Sequence, residues 1–186
     1  IVVLFYNICS TINTINNMKP DSLIFDMDGT LWDATEVYRS AWNICLQKYH
    51  IDTVLSTLDV TSLTGQEIGV VRAKIMPGQS KEVCDRVVTD VEDMVREFIP
   101  LKGGQLYPDV FEGLQTLSKH YKLFIISNCA DQVIRLFIGW AGIGNFITDE
   151  IAHGSNYKSK KDNIRILMEK HGLKNPIYIG DTEGDR

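Results

Sequence analysis

The stretch DSLIFDMDGTLWD, residues 21–33, places two carboxylates, Asp26 and Asp28, directly after a short apolar run. A run of this length between turn-forming residues predicts a buried β-strand. Burying carboxylates is costly, and two of them this close together repel each other. Two acids at the end of a buried strand therefore indicate a bound cation or a proton transfer at that point.

Downstream of this strand, helical and strand patterns alternate. Apolar spacing predicts helices within residues 110–121, 134–141 and 164–171, and continuous apolar runs predict strands at 122–127 and 176–180. Alternation of this kind, with nearly continuous apolar strands, is typical of a parallel sheet covered on both faces. We therefore predict an α/β fold with a Rossmann-like, three-layer core.

A helical block interrupts the alternation after the first strand. Residues 35–49 and 81–98 carry apolar side chains at helical spacing, and LKGGQLYP (101–108) predicts the loop that leaves the block. We therefore assign residues 18–33 and 103–186 to the α/β core and residues 34–102 to an inserted helical domain.

The two ends of the sequence are atypical. IVVLFYNIC (1–9) lacks the basic region and cleavage site of a signal peptide and is too short to span a bilayer, and Met18 stands just before the first motif. We interpret residues 1–17 as a non-native or disordered extension, the alternative being an extra strand or anchor. Because the sequence stops at GDTEGDR (180–186), we expect the C-terminal part of the core to be missing.

Composition narrows the choice of partners. The chain has 186 residues, with 19 basic and 24 acidic side chains and a formal net charge of −5, which argues against a nucleic-acid surface or a polybasic membrane patch. The scattered cysteines form no metal-type pairs and indicate reduced thiols in a cytoplasmic protein. We therefore expect neither nucleic acid nor a membrane as partner, and composition predicts no oligomeric state.

Polar residues follow each of the three predicted strands. They are Asp26 to Thr30, then Ser127 and Asn128, then Gly180 to Thr182. Because the carboxyl ends of parallel strands meet at one edge of the sheet, these residues are expected to form a single site.

Four segments occur in a recognisable order: DMDGTLWD, SNC, a lysine-bearing segment before a helix, and GDTEGD. Together they resemble the four motifs of the haloacid dehalogenase superfamily, and the resemblance covers nearly all of residues 21–185. The inserted helices resemble the cap of the phosphoglycolate phosphatase-like and β-phosphoglucomutase-like branch. The resemblance implies a phosphatase that acts on a small phosphorylated metabolite.

The resemblance also assigns roles to the first motif. Asp26 would attack phosphorus and form an aspartyl-phosphate, and Asp28 would protonate the leaving oxygen and then activate water. Gly29 would let the backbone approach the phosphoryl group, and Thr30 would orient Asp28. The implied cofactor is Mg²⁺, bound by Asp26, Asp181 and the backbone carbonyl of Asp28, with Asp185 completing or orienting that shell; oxygen ligands with retained water suit this ion.

The second and third motifs supply the remaining predicted contacts. Ser127 and Asn128 would hold phosphoryl oxygens, Asn128 competing with a simple helix-starting turn. A lysine would offset negative charge, and the segment SNYKSKKDNI offers Lys158, Lys160 and Lys161. Spacing from Gly172 selects Lys158, whereas the match to a lysine-x-x-Asn-Ile pattern selects Lys160, which we favour.

Two other functions stay open from the sequence. A sugar-phosphate mutase would use the same chemistry, and an inactive truncated fragment would have none. A 2-haloacid dehalogenase is disfavoured, since that resemblance predicts another residue in place of Asp28 and no metal. Cap residues around Thr64, Gly65 and Arg72 are candidates for substrate contact, with ordinary packing as the alternative.

Overall fold

The structure, a computed structural model, describes residues 19–66 and 68–181. The interpretation of residues 1–17 as an extension and the assignment of Asp185 to a metal shell lie outside the described residues. Among those residues, none of the helices combines the length and the apolar character that crossing a membrane requires.

The described elements follow one another along the chain as strands and helices. They are β1 (Ser22–Phe25), β2 (Trp32–Asp33), α1 (Thr35–Lys48), α2 (Thr57–Leu63), α3 (Ile68–Ile75), α4 (Lys81–Lys102), β3 (Gln105–Leu106), α5 (Val110–Leu117), β4 (Lys122–Ser127), α6 (Val133–Ala141), β5 (Asp149–Ala152), α7 (His153–Asn156), α8 (Lys160–His171) and β6 (Pro176–Ile179).

Strand β1 lies at the centre of a parallel sheet with the order β5-β4-β1-β6. Its last residue, Phe25, is in register with Ile125 of β4 and with Ile179 of β6. The chain segments that follow β1, β4 and β6 therefore leave the sheet at the same edge. This arrangement confirms the prediction of an α/β fold built on a parallel sheet.

The sheet is covered on both faces because its strands are apolar on both faces. Leu23 and Phe25 of β1 belong to the larger hydrophobic cluster, whereas Ile24 packs in a second cluster with Phe124 and with Leu167 of α8. All four residues of β1 are buried, as expected of a central parallel strand. The result is the three-layer arrangement that the sequence predicted.

Helices α1 to α4 leave the sheet after β2 and return to it through β3. Serine side chains begin two of these helices: Ser56 forms a capping box with Asp59, and Ser80 accepts a hydrogen bond from the Val83 amide. The short antiparallel pair β2 and β3, which joins Trp32 to Leu106, holds the exit and the return of this segment side by side. The helical segment is thus an insertion that leaves the core and returns to it at the same point.

Two strand pairings were not predicted. Strand β5 pairs with β4 at the edge of the sheet, and only its last residue, Ala152, is buried. Since β5 begins with Asp149 and Glu150, it offers no apolar run for a sequence pattern to detect. The ribbon of β2 and β3 is two residues long on each side, and the sequence indicated only a loop there.

Candidate active site

Asp26 occupies the centre of the edge where the strands end. The Asp26 backbone amide donates to the Ile179 carbonyl at 2.8 Å, and this bond holds Asp26 against β6. Asp26 is only 2% exposed. Lys160 Nζ lies 3.1 Å from Asp26 Oδ2, and the lysine side chain is 16% exposed. A nearly buried carboxylate is thereby paired with a nearly buried ammonium, as the cost of burying either charge alone requires.

Lys158, the other lysine left open by the sequence, is exposed. Its backbone carbonyl accepts hydrogen bonds from His153 Nδ1 at 2.9 Å and from the side-chain Nδ2 of Asn163 at 3.4 Å. The structure therefore brings Lys160 to Asp26 and uses the backbone of Lys158 to shape the loop before α8.

Asp28 follows Asp26 in a tight turn and contacts a different group. Its Oδ1 accepts a hydrogen bond from Trp32 Nε1 at 3.0 Å. Burial raises the pKa of Asp28 to about 7 and the negative charge of Asp26 adds to this shift, while the Trp32 N–H and Lys160 oppose it. A carboxyl group with such a pKa can hold or release a proton near neutral pH.

Trp32 is a site residue that sequence reasoning missed. Its indole is fully buried and packs on Phe137, with ring centroids 4.6 Å apart, so the ring that donates to Asp28 is fixed in position. A buried tryptophan needs an acceptor for its N–H, and a tryptophan four residues after an acid is the signal that could have indicated this pair.

The Thr30 side chain contacts Asp181 and not Asp28. Thr30 Oγ1 donates to Asp181 Oδ1 at 3.1 Å. The expectation that Thr30 orients Asp28 is therefore wrong, because Trp32 already holds that carboxylate. Thr30 instead ties the turn after β1 to the segment after β6.

Gly29 lies between the two acids of that turn and Asp181. It has φ +82°, and a Cβ built on it would come 2.5 Å from Asp181 Oδ2. Only glycine combines this left-handed backbone with so close an approach of a carboxylate. The first motif and Asp181 can therefore share one small space.

Replacing Gly29 with alanine tests this close approach. Gly29→Ala is expected to lower kcat/KM by at least about tenfold, since a 1 Å displacement of a catalytic group can cost more than that. Gly142→Ala is the matched control: its φ is +68° with open space around the built Cβ. Both variants should lose about 1 kcal/mol in free energy of unfolding from backbone strain. Equal activity losses in the two variants would contradict the argument.

Ser127 and Asn128 follow β4, but they make different contacts. Ser127 is buried, and its Oγ accepts from the Cys129 amide at 3.2 Å, leaving the hydroxyl proton available as a donor. Asn128 Nδ2 donates to the Gly65 carbonyl at 3.1 Å, in the loop between α2 and α3. In this arrangement one N–H of Asn128 Nδ2 holds the helical segment to the segment that follows β4.

A cavity of about 860 Å³ separates the strand ends from the helical segment. Asp26 and Asp28 lie on one wall, and Tyr38, Arg72 and Glu92 lie on the wall formed by the helices. Cavities of this size accommodate a small organic ligand. Thr64 and Gly65, the other cap residues named from the sequence, also line it.

The donor chemistry of the strand ends suits Mg²⁺. Asp26 and Asp181 offer carboxylate oxygens. Because Gly29 lies close to Asp181, the Asp181 carboxylate is held beside the turn that carries Asp26. Within residues 19–66 and 68–181, no three His, Cys, Asp or Glu side chains form a metal-binding group. Mg²⁺ needs only one or two carboxylates, because it keeps several of its waters. Two carboxylates therefore fit it.

Comparison with known proteins identifies similar sequences. A family profile of haloacid dehalogenase-like hydrolases matches residues 23–186. The pyrophosphatase PpaX of Bacillus velezensis is 24% identical over 182 residues, which are 92% of this chain and 79% of that protein. The pyrophosphatase PpaX of Oceanobacillus iheyensis is 22% identical over 177 residues, or 90% of this chain and 78% of that protein.

Solved structures show the same fold at low identity. A predicted phosphoglycolate phosphatase of Haemophilus somnus superimposes with a TM-score of 0.76 at 18% identity, covering 90% of this chain and 80% of the other. A haloacid dehalogenase-like family hydrolase of Streptococcus pneumoniae gives a TM-score of 0.76 at 22% identity, with 89% and 78% covered.

Proposed function

Because this chain belongs to the haloacid dehalogenase-like hydrolase family, we propose that it is a Mg²⁺-dependent phosphatase of small phosphorylated metabolites. The observation that carries the proposal is the buried Asp26 carboxylate, paired with Lys160 at the end of the central strand and facing the cavity. A carboxylate held in this way is placed to attack an electrophile that enters the cavity.

In the first step an Asp26 oxygen attacks phosphorus. A bond between Asp26 and phosphorus forms while the bond from phosphorus to the leaving oxygen breaks, which yields an aspartyl-phosphate and an alcohol. Asp28 gives its proton to the leaving oxygen, and its pKa of about 7 supports that role. Lys160 offsets the negative charge that accumulates beside Asp26.

In the second step water attacks the same phosphorus. Asp28, now ionised, takes a proton from the water, the bond between phosphorus and Asp26 breaks, and inorganic phosphate leaves. We assign to the Ser127 hydroxyl, whose Oγ accepts from the Cys129 N–H, the donation of a hydrogen bond to a phosphoryl oxygen in both steps. Asn128 contributes by holding the loop at Gly65.

Asp26, Asp181 and the backbone carbonyl of Asp28 would hold Mg²⁺, with Asp185 as a further predicted member of the shell. The ion would supply positive charge that lets a phosphate dianion approach two carboxylates. Thr30 and Gly29 serve this group of ligands by positioning Asp181.

We assign the helical segment, residues 34–102, the role of a cap that covers the substrate. Helices α3 and α4 line the cavity opposite the strand ends, so their side chains can contact the leaving group. The relatives named as pyrophosphatases and the neighbour named as a phosphoglycolate phosphatase support small phosphorylated substrates. No observation favours a mutase over a phosphatase.

Hydrolysis of p-nitrophenyl phosphate tests the proposed function directly. We expect turnover with Mg²⁺, and a fall of at least about tenfold when EDTA removes the ion, because a divalent cation offsets charge in the transition state. Restoring Mg²⁺ in excess over EDTA should restore the rate. Turnover that is unaffected by EDTA would contradict the metal requirement, and no turnover by a chain that melts cooperatively would contradict the phosphatase proposal.

A further inference from the structure

Asn163 is a buried polar residue that the proposed mechanism does not use. It is 1% exposed and lies on the buried face of α8 together with Leu167, which packs in one cluster with Ile24 and Phe124 of the sheet. Asparagine is a weak helix former, and burying its amide costs free energy unless the amide is hydrogen-bonded. An apolar side chain would suit this face better, so the presence of Asn163 points to the contacts that its amide makes.

The Asn163 side chain reaches back to the turn that precedes α8. Its Oδ1 accepts a hydrogen bond from Asn156 Nδ2 at 2.8 Å, and its Nδ2 donates to the Lys158 carbonyl at 3.4 Å. The Asn163 backbone N–H donates to the Ser159 carbonyl at 2.9 Å, as the first turn of a helix requires. Asn163 therefore ties the first turn of α8 to the residues that come before its N-cap.

Other side chains hold the same turn at the backbone of Lys158. The Lys158 N–H donates to Asn156 Oδ1 at 2.9 Å, and the Lys158 carbonyl also accepts from His153 Nδ1 at 2.9 Å. The turn is anchored in addition to the segment after β4, because the Gly154 N–H donates to the Cys129 carbonyl at 3.0 Å. Polar groups that satisfy one another in this way make the segment that contains them rigid.

Lys160 is the site residue whose position depends on this turn. It is the first residue of α8, two positions after Lys158, and its Nζ lies 3.1 Å from Asp26 Oδ2 and 5.7 Å from the centre of the Tyr178 ring. A lysine side chain is a flexible stem with a compact charge at its end. The ammonium is therefore held beside Asp26 only while the backbone at the start of α8 stays in place.

We propose that Asn163 is a positioning residue for the reaction, which fixes the turn before α8 and thereby holds Lys160 against Asp26. The inference rests on the proposed phosphatase function, in which Lys160 offsets negative charge beside Asp26. Among the residues that the structure describes, Asn163 is not one of those that line the cavity, so it acts through Lys160 and not on the substrate. Loss of its amide should therefore lower the rate only while Lys160 is present.

A double-mutant cycle tests this dependence on Lys160. Asn163→Ala should lower kcat for p-nitrophenyl phosphate by about tenfold, because a small displacement of a group that stabilises the transition state is costly. In a Lys160→Met parent the same substitution should change kcat by less than about twofold, since residues that act as a unit do not have additive effects. Equal losses in the two parents would overturn the inference.

Leu167→Ala is the matched control for a loss of stability. Leu167 is fully buried on the same face of α8, one turn beyond Asn163, and truncating it leaves a cavity. It should lower the melting temperature at least as much as Asn163→Ala does, while kcat of the folded protein stays within about twofold, because the site is not coupled to this contact. Equal falls of kcat in the two variants would contradict a positioning role.

Asn156→Ala tests the same network from the turn. Asn156 is half-buried, so its substitution leaves the packed face of α8 intact. It removes the donor to Asn163 and the acceptor of the Lys158 N–H, and it should lower kcat by at least about threefold when Lys160 is present. Should Asn163→Ala fail to fold, this variant decides: an unchanged kcat, or an equal loss in the Lys160→Met parent, would overturn the inference.

The magnetic resonance signal of Lys160 separates this inference from the proposed function. In a Mg²⁺-free chain with isotope-labelled lysine, the Lys160 Cε signal is identified by its absence in Lys160→Met. It should lie apart from the signals of exposed lysines because the Tyr178 ring is nearby. Asn163→Ala should move it toward those signals, and Leu167→Ala should not.

The two failures are then distinguishable. If Asn163→Ala moves the Lys160 signal but the unsubstituted chain has no turnover, only the phosphatase proposal is overturned. If the unsubstituted chain turns over but Asn163→Ala leaves the Lys160 signal unchanged, only the role of Asn163 is overturned.

Discussion

Asp26→Asn is expected to reduce Mg²⁺-dependent hydrolysis of p-nitrophenyl phosphate by about 10⁴-fold, as losses of a covalent nucleophile do. The amide has the size of the carboxylate but cannot attack phosphorus. Asp26 is 2% exposed and ion-paired with Lys160, so the substituted side chain stays in the same buried position. The measurement is kcat from initial rates at saturating substrate and Mg²⁺.

Asp52→Asn provides the control for the loss of one negative charge. Asp52 is exposed and lies in the loop between α1 and α2, away from the strand ends. The kcat of the Asp52→Asn variant should stay within about twofold of that of the unsubstituted chain, because surface substitutions usually have small effects. If Asp26→Asn retained more than a tenth of the activity while melting normally, Asp26 would not be the nucleophile.

The parallel core was predictable because its strands are continuous apolar runs, which a chain buries on folding. Leu23 to Phe25 and Leu123 to Ile126 are buried on both faces, and such runs are visible in the sequence. Strand β5 was not predictable because it lies at the edge, where Asp149 can stay half-exposed and pair with His171 and Lys170. Edge strands need less apolar surface, so their sequences carry a weaker signal.

The meeting of the motifs could also be predicted, but the partner of each side chain could not. Parallel register brings the residues after β1, β4 and β6 to one edge whatever their identity. By contrast, Thr30 bonds a residue 151 positions away, and Asn128 bonds Gly65 across 63 positions. Those choices depend on distances between separate loops, and local sequence patterns contain no such distances.

The helical wall illustrates the same limit for substrate selection. Arg72 was a candidate for substrate contact from the sequence, where it counts as a free positive charge. In the structure Arg72 Nη1 lies 2.7 Å from Asp85 Oδ1, so part of its positive charge is already offset within the helical segment. Whether a charged side chain is available to a ligand depends on which residues of neighbouring helices contact it, and the sequence alone does not show those contacts.

The lysine assignment was left open although a local signal for it exists. Ser159 Oγ accepts a hydrogen bond from the Asp162 amide, so Ser159 is the N-cap of α8 and Lys160 is its first residue. A serine followed three residues later by an acid is a helix-start pattern that can be read in the sequence. It places Lys158 before the helix, where its carbonyl bonds His153.

Lys160→Met and Lys158→Met are expected to differ widely in activity. Lys160→Met should lower kcat by about 10²-fold, the usual cost of removing one preorganised electrostatic contact to the transition state. Lys158→Met should stay within about twofold, because that side chain is exposed and only its backbone is used. The measurement is kcat for p-nitrophenyl phosphate with Mg²⁺, beside melting curves for both variants.

The melting curves distinguish a chemical role of Lys160 from a structural one. Removing Lys160 takes one ion-pair partner from the buried Asp26 carboxylate, so some loss of stability is expected together with the loss of rate. Lys160→Arg keeps the positive charge but spreads it over a larger planar group, and it should recover stability more fully than kcat. Equal losses of activity in the Lys160 and Lys158 variants would show that the ion pair with Asp26 does not serve the reaction.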